Sequence, residues 1–148
     1  MRLRRKRMWL YEHTNMMTDT PEKLKVLLVD DDKFLVEMYA MKFTAKNYSV
    51  HACLSVEDAL QVLRDGFKPD AIVFDVIMPE HDGFYLLTAV AAENLRGGAV
   101  LIGLTNESGD DTKAKIMELG ADKTIVKATM IPSEVVSTVE EEIARKRK

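Results

Sequence analysis

Several positions in this sequence carry side chains whose types, taken together, suggest one chemistry. Asp30, Asp31 and Asp32 stand at the end of the apolar run KVLLVD (25–30). Asp75 closes DAIVFD (70–75), Thr105 closes AVLIGLT (99–105) and Lys127 closes KTIVK (123–127). Carboxylates gathered at one edge repel one another unless a cation sits among them. Hard oxygen donors suit magnesium, which takes one or two carboxylates together with waters and phosphate oxygens. An aspartate beside such a metal can attack phosphorus and become an aspartyl phosphate. The metal and an amine would neutralise the equatorial phosphoryl oxygens, and a hydroxyl would donate a hydrogen bond to one of them. Each residue alone has a plainer use. Aspartates favour helix N-caps and first turns, a terminal threonine caps a strand, and a lone lysine is a surface cation. Asp75 resists such a reading, because an acid closing a fully apolar strand has no obvious structural task. The conjunction of four strand ends carries the signal.

The elements that must position these groups follow from hydrophobic spacing. Strands are predicted at 25–30, 48–53, 70–75, 99–105 and 123–127. Helices are predicted at 33–47, with apolar residues 34, 35, 38, 41 and 45 at helical spacing, and from Ser55 to about Asp65. Ser55 is the expected N-cap, with Asp58 three positions on as a shorter stand-in for the usual glutamate. Gly66 and then Pro69 stop that helix. Further helices are predicted at 84–95, broken by Gly97-Gly98, at 110–120, closed by Gly120, and from Pro132 or Ser133 to about Arg145. The segment MPEHDG is read as a turn. Five strands and five helices in strict alternation imply an α/β fold with a doubly wound parallel sheet. Near-continuous Val, Ile and Leu strands agree with a sheet covered on both faces. In such sheets ligands bind beyond the carboxyl ends of the strands, where the candidate residues lie.

Length and composition set bounds around this reading. The 148 residues suit one domain, and 47% apolar with 30% charged residues is ordinary globular composition. No apolar run approaches the ~18 residues of a membrane span, so no membrane insertion is expected. A single cysteine, Cys53, excludes an internal disulfide or a zinc cluster, and the simple expectation is a reducing cytoplasm. The net charge of −3 excludes a uniformly basic nucleic-acid binder, but it hides three blocks. Residues 1–20 carry a net +3, Arg145 to Lys148 carry +4, and the stretch between carries −10. Residues 1–20 are expected to be a disordered basic extension. It lacks the apolar core and cleavage site of a secretory signal. An arm for nucleic acid or anionic lipid, an extension with no role, and a start-site artefact ahead of Met16 and Met17 all remain open. The C-terminal cations suit the end of a helix dipole. His13, His51 and His81 are too scattered for a metal site. Trp9 lies outside the body.

Two other doubly wound readings fail on loop chemistry. A dinucleotide or P-loop site wants glycines and backbone N–H groups after the first strand. Here that loop is DDDKF, acidic and free of glycine, and it would repel a phosphate. A flavodoxin-type FMN site fails for the same reason.

The motifs VLLVDDD, DAIVFDVIMPEHDG, LIGLT and GADKTIVK resemble those of the receiver domains of bacterial two-component response regulators, chemotaxis-regulator-like, over about residues 24–145. The resemblance implies a flavodoxin-like strand order 2-1-3-4-5 within a receiver domain spanning 21–148. It implies that Asp75 is the phosphoacceptor, charged by a histidine kinase or histidine phosphotransfer protein. Asp31 would ligate Mg2+ directly, Asp30 would hold metal-bound water, and Asp75 with the backbone carbonyl of Ile77 would complete the metal set. Thr105 and Lys127 would contact the phosphoryl oxygens. Met78-Pro79 and Gly83 match the family's turn after the phosphorylation site, and Asp32 is left as a helix N-terminal residue. Such a domain is a signalling device and not an enzyme in the ordinary sense.

The sequence departs from the family pattern at several places. Ala128 follows Lys127 where a proline on a cis bond is usual. A non-proline cis bond costs ~2.5–4 kcal/mol, so a trans loop and a differently aimed Lys127 are expected. Thr124 stands where many members carry an aromatic, which puts the usual hydroxyl–aromatic relay in doubt. Asn106 is expected to narrow the entrance. Ile77 and Glu107 occupy the positions that tune the attacking water, and an apolar Ile77 cannot orient it, so slow or partner-dependent hydrolysis is expected. Two functions follow. The first is a single-domain response regulator acting through an unidentified downstream protein on the face of the fourth helix, fifth strand and fifth helix. The alternative is a degenerate, non-phosphorylated receiver serving as a protein- or nucleic-acid-binding module. The complete set of Asp30, Asp31, Asp75, Thr105 and Lys127 favours the first, while the missing proline and aromatic favour the second; with a net charge of −3, no nucleic-acid partner is expected.

Overall fold

The computed structural model of the chain describes residues 22–106 and 110–147. The basic extension at 1–20 and Glu107 lie outside the described residues. Five strands, β1 (Lys25–Val29), β2 (Ser49–Cys53), β3 (Ala71–Asp75), β4 (Val100–Thr105) and β5 (Lys123–Val126), form one parallel sheet in the order β2-β1-β3-β4-β5. Helices α1 (Lys33–Ala45), α2 (Val56–Arg64), α3 (Gly83–Ala92) and α4 (Asp110–Glu118) make the crossovers, and α5 (Pro132–Lys146) follows the last strand. The expected doubly wound α/β fold and its flavodoxin-like order are both observed.

Alternate residues of each strand point to opposite faces, and the core divides accordingly. On one face Leu27, Val29, Ile72, Phe74 and Leu101 pack under α2, α3 and α4. On the other, Val26, Leu28, Val73, Ile102 and Ile125 pack under α1 and α5. Buried apolar surface contributes about 25 cal/mol per Å², and this two-sided burial is what holds the strand ends in register.

Helix limits follow their caps. The Asp32 carboxylate accepts the Leu35 N–H at 3.1 Å and starts α1, as expected of a helix N-terminal aspartate. The Ser55 hydroxyl oxygen accepts the Asp58 N–H at 3.1 Å and starts α2. Asp82, read only as part of a turn, caps α3 by accepting the Tyr85 N–H at 3.0 Å. That helix stops at Ala92, short of the expected 95, because Asn94 takes a left-handed φ of 57° before the Gly97-Gly98 pair is reached. β5 stops at Val126, and Lys127 opens a 3₁₀ turn (Lys127–Thr129) rather than ending the strand.

The expected apolar stripe of α1 is corrected. Its buried residues are Val36, Tyr39 and Phe43, whereas Phe34 and Met41 are 73% and 71% exposed. The helix is apolar on more than one side, so spacing alone cannot choose a face. Asp32 as the cap, followed at helical intervals by 36, 39 and 43, sets the face that meets the sheet. The C-terminal cations do more than complement a dipole. Arg147 pairs with Asp70, whose other oxygen accepts the Lys25 N–H at 2.8 Å, so the end of α5 is tied to the start of β1. Cys53 is buried and free, and burial pushes its thiol up to about 11, which keeps it protonated and unreactive near neutrality.

Among the described glycines, the one with least room for a side chain lies behind Asp75. A Cβ on Gly83 would sit 2.9 Å from Val76 Cα and 3.0 Å from both the Asp75 carbonyl oxygen and the Phe74 ring. Two of these neighbours are backbone and cannot turn aside. Gly83→Ala is therefore expected to lower stability by about 1–3 kcal/mol, as overpacking does. A urea titration checks this, and a midpoint at or above the parent's would show that the loop yields.

Candidate functional site

The site sits beyond the carboxyl ends of β1, β3, β4 and β5. Asp30 leaves β1 with its N–H donated to the Cys53 carbonyl at 3.1 Å. Its Oδ1 accepts the Asp32 N–H at 2.9 Å, which folds the carboxylate back over the chain and leaves Oδ2 facing the sheet. Asp31, between the two, is exposed. Asp75 is the last residue of β3. The Val76 N–H continues the pairing to Leu104 at 2.9 Å, and the Gly83 N–H reaches back to the Val76 carbonyl at 2.8 Å, so the following turn stays close. The Ile77 N–H approaches Asp75 Oδ1 at 3.4 Å.

Lys127 bridges the two buried carboxylates. Its Nζ lies 3.0 Å from Asp30 Oδ2 and 3.2 Å from Asp75 Oδ2. Asp30 and Asp75 are only 2% and 5% exposed. The burial of Asp75 pushes its carboxyl up to about 6, with the Asp30 charge adding to the rise and Lys127 opposing it. Burial alone would pull the Lys127 amine down, but its close pairing with the Asp30 and Asp75 carboxylates outweighs this and holds the amine above its ordinary value. The site therefore contains a cation that stays charged and a carboxylate that ionises reluctantly. The Lys127 loop contains no cis bond, as expected of the Ala128 sequence. The expected misdirection of Lys127 is not observed, because the 3₁₀ turn points the side chain into the acidic cluster.

Oxygen atoms of Asp30, Asp31 and Asp75 all lie within 4.8 Å of one another. Asp30 Oδ2 is buried and, although close to Lys127, receives no well-aligned hydrogen bond. Three carboxylates against one amine, with a buried oxygen left short of a donor, fit a divalent cation bound through hard oxygens. Thr105 is buried at the end of β4, in register with Val126. Ile77 is in the turn after Asp75 with its side chain 60% exposed. Asn106 is exposed at the end of β4, and Thr124 is half-buried on β5.

Two features were not foreseen. Tyr39 of α1 is buried close enough for Lys127, Asp30 and Asp75 to act on its hydroxyl, which burial pushes up. Its helical spacing from Asp32 was the available signal. His81, read as a surface loop residue, has a definite setting. Its ring stacks on Tyr85 with centroids 3.9 Å apart, and its Nε2 lies 3.0 Å from Glu57 on α2. This joins the turn after Asp75 to two neighbouring helices. Sequence spacing offered no sign of it.

Residues 26–140 match the response regulator receiver domain family. Among curated proteins, the chain is 34% identical over 111 residues to the transcriptional regulatory protein RprY of Bacteroides fragilis, an alignment covering 75% of this chain and 46% of RprY. It is 29% identical over 120 residues to the phosphate regulon transcriptional regulatory protein PhoB of Pseudomonas aeruginosa, covering 81% of this chain and 52% of PhoB. The chain thus spans about half the length of these relatives. Among solved structures, the chemotaxis protein CheY4 of Vibrio cholerae superposes with a TM-score of 0.75 at 26% identity, covering 81% of this chain and 98% of CheY4.

The burial of Asp75, with the Asp30 charge beside it, has a measurable consequence. Moving a buried carboxyl from 3.8 to about 6 disfavours its charged form by roughly 3 kcal/mol. That figure is net of the Lys127 attraction, so Asp75→Asn, which removes the charge, should be more stable than the parent in chelator at pH 7.5, by up to roughly 3 kcal/mol. Below about pH 6 the folded parent takes up the proton on Asp75 and recovers stability, while the unfolded chain protonates only near its ordinary 3.8. The advantage of the variant should therefore shrink between pH 7 and pH 5. Thermal melts at the two pH values check this; a variant less stable at pH 7.5 would mean that Lys127 attraction outweighs the repulsion.

Proposed function

This chain belongs to the response regulator receiver domain family, and from that premise we propose that it is a phosphorylation switch whose phosphoacceptor is Asp75. The observation that carries the reading is the Lys127 ammonium held 3.0 and 3.2 Å from Asp30 and Asp75, with Asp31 alongside. We take residues 21–148 as the receiver unit. This is wider than the family match because α5 continues to Lys146 and Arg147 closes onto Asp70.

In this reading an Asp75 carboxylate oxygen attacks the phosphorus of a phosphohistidine on a kinase or phosphotransfer partner. The new O–P bond forms as the N–P bond breaks, and the imidazole nitrogen leaves with the electron pair. Lys127 is already charged and buried, so it can stabilise the transferring oxygens without reorganising. Thr105 offers a hydroxyl at the neighbouring strand end. Asp30, Asp31, Asp75 and the Ile77 carbonyl are the groups that would hold Mg2+, which when bound supplies charge neutralisation for the phosphoryl oxygens. Burial around Asp75 makes the added phosphoryl charge costly until that neutralisation is present, which makes transfer dependent on the metal. The modified state is read by a downstream protein, because a new dianion beside Lys127 interacts differently with two arrangements of the surrounding loops. Thr124 lacks the bulk of an aromatic, so this coupling runs through the Lys127 and Thr105 loops themselves. A cytoplasmic setting suits both the kinase partner and the free, buried Cys53.

Intact mass after incubation with Mg2+ and a small-molecule phosphodonor tests the reading. One phosphate adduct is expected, absent in Asp75→Asn and absent without the metal. Failure to form an adduct together with failure to bind Mg2+ would instead support a degenerate binding module. The exposed, apolar Ile77 gives an incoming water no hydrogen-bond partner, so the adduct should be long-lived, and Ile77→Asn should hasten its loss. Rapid loss from the isolated parent would refute this role for Ile77.

A further inference from the structure

The chain immediately after β5 decides where Lys127 points, and its hydrogen bonds show how. Val126 precedes the 3₁₀ turn and has no side-chain cap of its own. The Thr129 hydroxyl donates to the Val126 carbonyl at 2.8 Å. That carbonyl shares one rigid peptide plane with the Lys127 N–H, so a bond to its oxygen fixes the plane from which the Lys127 side chain departs. On the other side of Lys127, its carbonyl accepts the Met130 N–H at a long 3.4 Å. Met130 is partly buried against the core under α5, and its sulfur receives the Thr138 hydroxyl at 3.7 Å. Ala128 is exposed and contributes no polar group. The turn is thus pinned at its far end by packing and at its near end by the Val126 carbonyl, which takes the first backbone bond of the 3₁₀ turn and the Thr129 hydroxyl besides.

We propose that Thr129 is a positioning residue for Lys127. Its hydroxyl holds the Val126–Lys127 peptide at the angle that keeps Nζ between Asp30 and Asp75. The consequence for phosphoryl transfer rests on the reading of the site given above; the placement of Lys127 does not. Nζ is the last atom of a long flexible side chain, so a small rotation of the peptide plane is amplified there. Transfer rates are sensitive to displacements of about 1 Å in a group that must meet the transition state. Thr129 itself is exposed and touches neither carboxylate, so its effect must pass through Lys127.

The test compares Thr129→Val, which keeps the shape and removes the donor, with Thr129→Ser, which restores it. The first readout is amine acylation followed by peptide mass spectrometry on the full chain, which needs no phosphorylation. In the parent, Lys127 has a side chain only 13% exposed and paired with two acids, so it should label slowly. Thr129→Val should label about three- to tenfold faster at Lys127, the range expected for loss of one hydrogen bond, while Thr129→Ser should match the parent. The second readout is the maximal phosphorylation rate at saturating small-molecule donor and Mg2+. It should fall about three- to tenfold in Thr129→Val and recover in Thr129→Ser, with Mg2+ affinity and melting temperature unchanged. Parent-like labelling of Lys127 in Thr129→Val overturns the proposal whatever the rate does. A parent that takes no phosphate while Lys127 labelling still responds overturns the functional reading and leaves the positioning role standing.

Discussion

The site is organised by the enclosure of two carboxylates and one ammonium at the end of the sheet. Asp30 and Asp75 are nearly inaccessible to water, and at such burial two like charges would drive each other apart or take up protons. Lys127 between them is what makes the pair tolerable. Its attraction is incomplete, since Asp75 still ionises reluctantly and Asp30 retains a buried oxygen without an aligned donor. An arrangement left one positive charge short is poorly suited to a purely structural role, because an apolar core of the same shape would cost less. It is well suited to receive a cation and a phosphoryl group.

Much of the surrounding structure can be understood as what such a cluster needs. The carboxylates must come from different strands yet end at the same height. A parallel sheet does this, because all its strands finish on one side. The apolar layers on both faces then keep the strands from slipping. Gly83 lets the turn after Asp75 press against the backbone of Val76, and a Cβ on Gly103 would meet the Phe74 ring at 3.4 Å, a close contact across β3 and β4. Each of these small residues allows a close approach that holds Asp75 in place.

The connections at this end of the sheet are tethered by different means. The turn after Asp75 is held by the Gly83 N–H and by His81 between Glu57 and Tyr85. The turn at Lys127 is held by Thr129 and by the burial of Met130. Asp30 is held by its own backbone bonds to Cys53 and Asp32. The His81 and Thr129 tethers lie at the surface, where single hydrogen bonds contribute little to global stability but can set local geometry. At the opposite end, Asp70 with Lys25 and Arg147, and Arg96 with Asp122 at 2.6 Å, join chain segments distant in sequence.

The sequence by itself determined the fold class, the order in which elements occur and the identity of the clustered groups. Apolar runs bounded by polar residues mark strands, and an acid ending such a run is conspicuous because burial of a charge is costly. Strand order and metal set came from resemblance to a family, not from the spacing of residues. The tertiary structure alone decided which side of α1 is buried, since a helix apolar on several sides has no single preferred stripe until the sheet is present. It alone decided where α3 ends, because a left-handed Asn94 is a backbone choice that composition does not dictate. It also decided the aim of Lys127. Reasoning from the residue after it foresaw the trans bond but expected a different aim, because the 3₁₀ turn that carries the side chain to Asp30 and Asp75 is a backbone choice the residue after Lys127 does not dictate. The same holds for Tyr39 and His81. A pattern read along the chain finds groups that share an element, whereas these meet their partners across elements, and only packing brings such groups together.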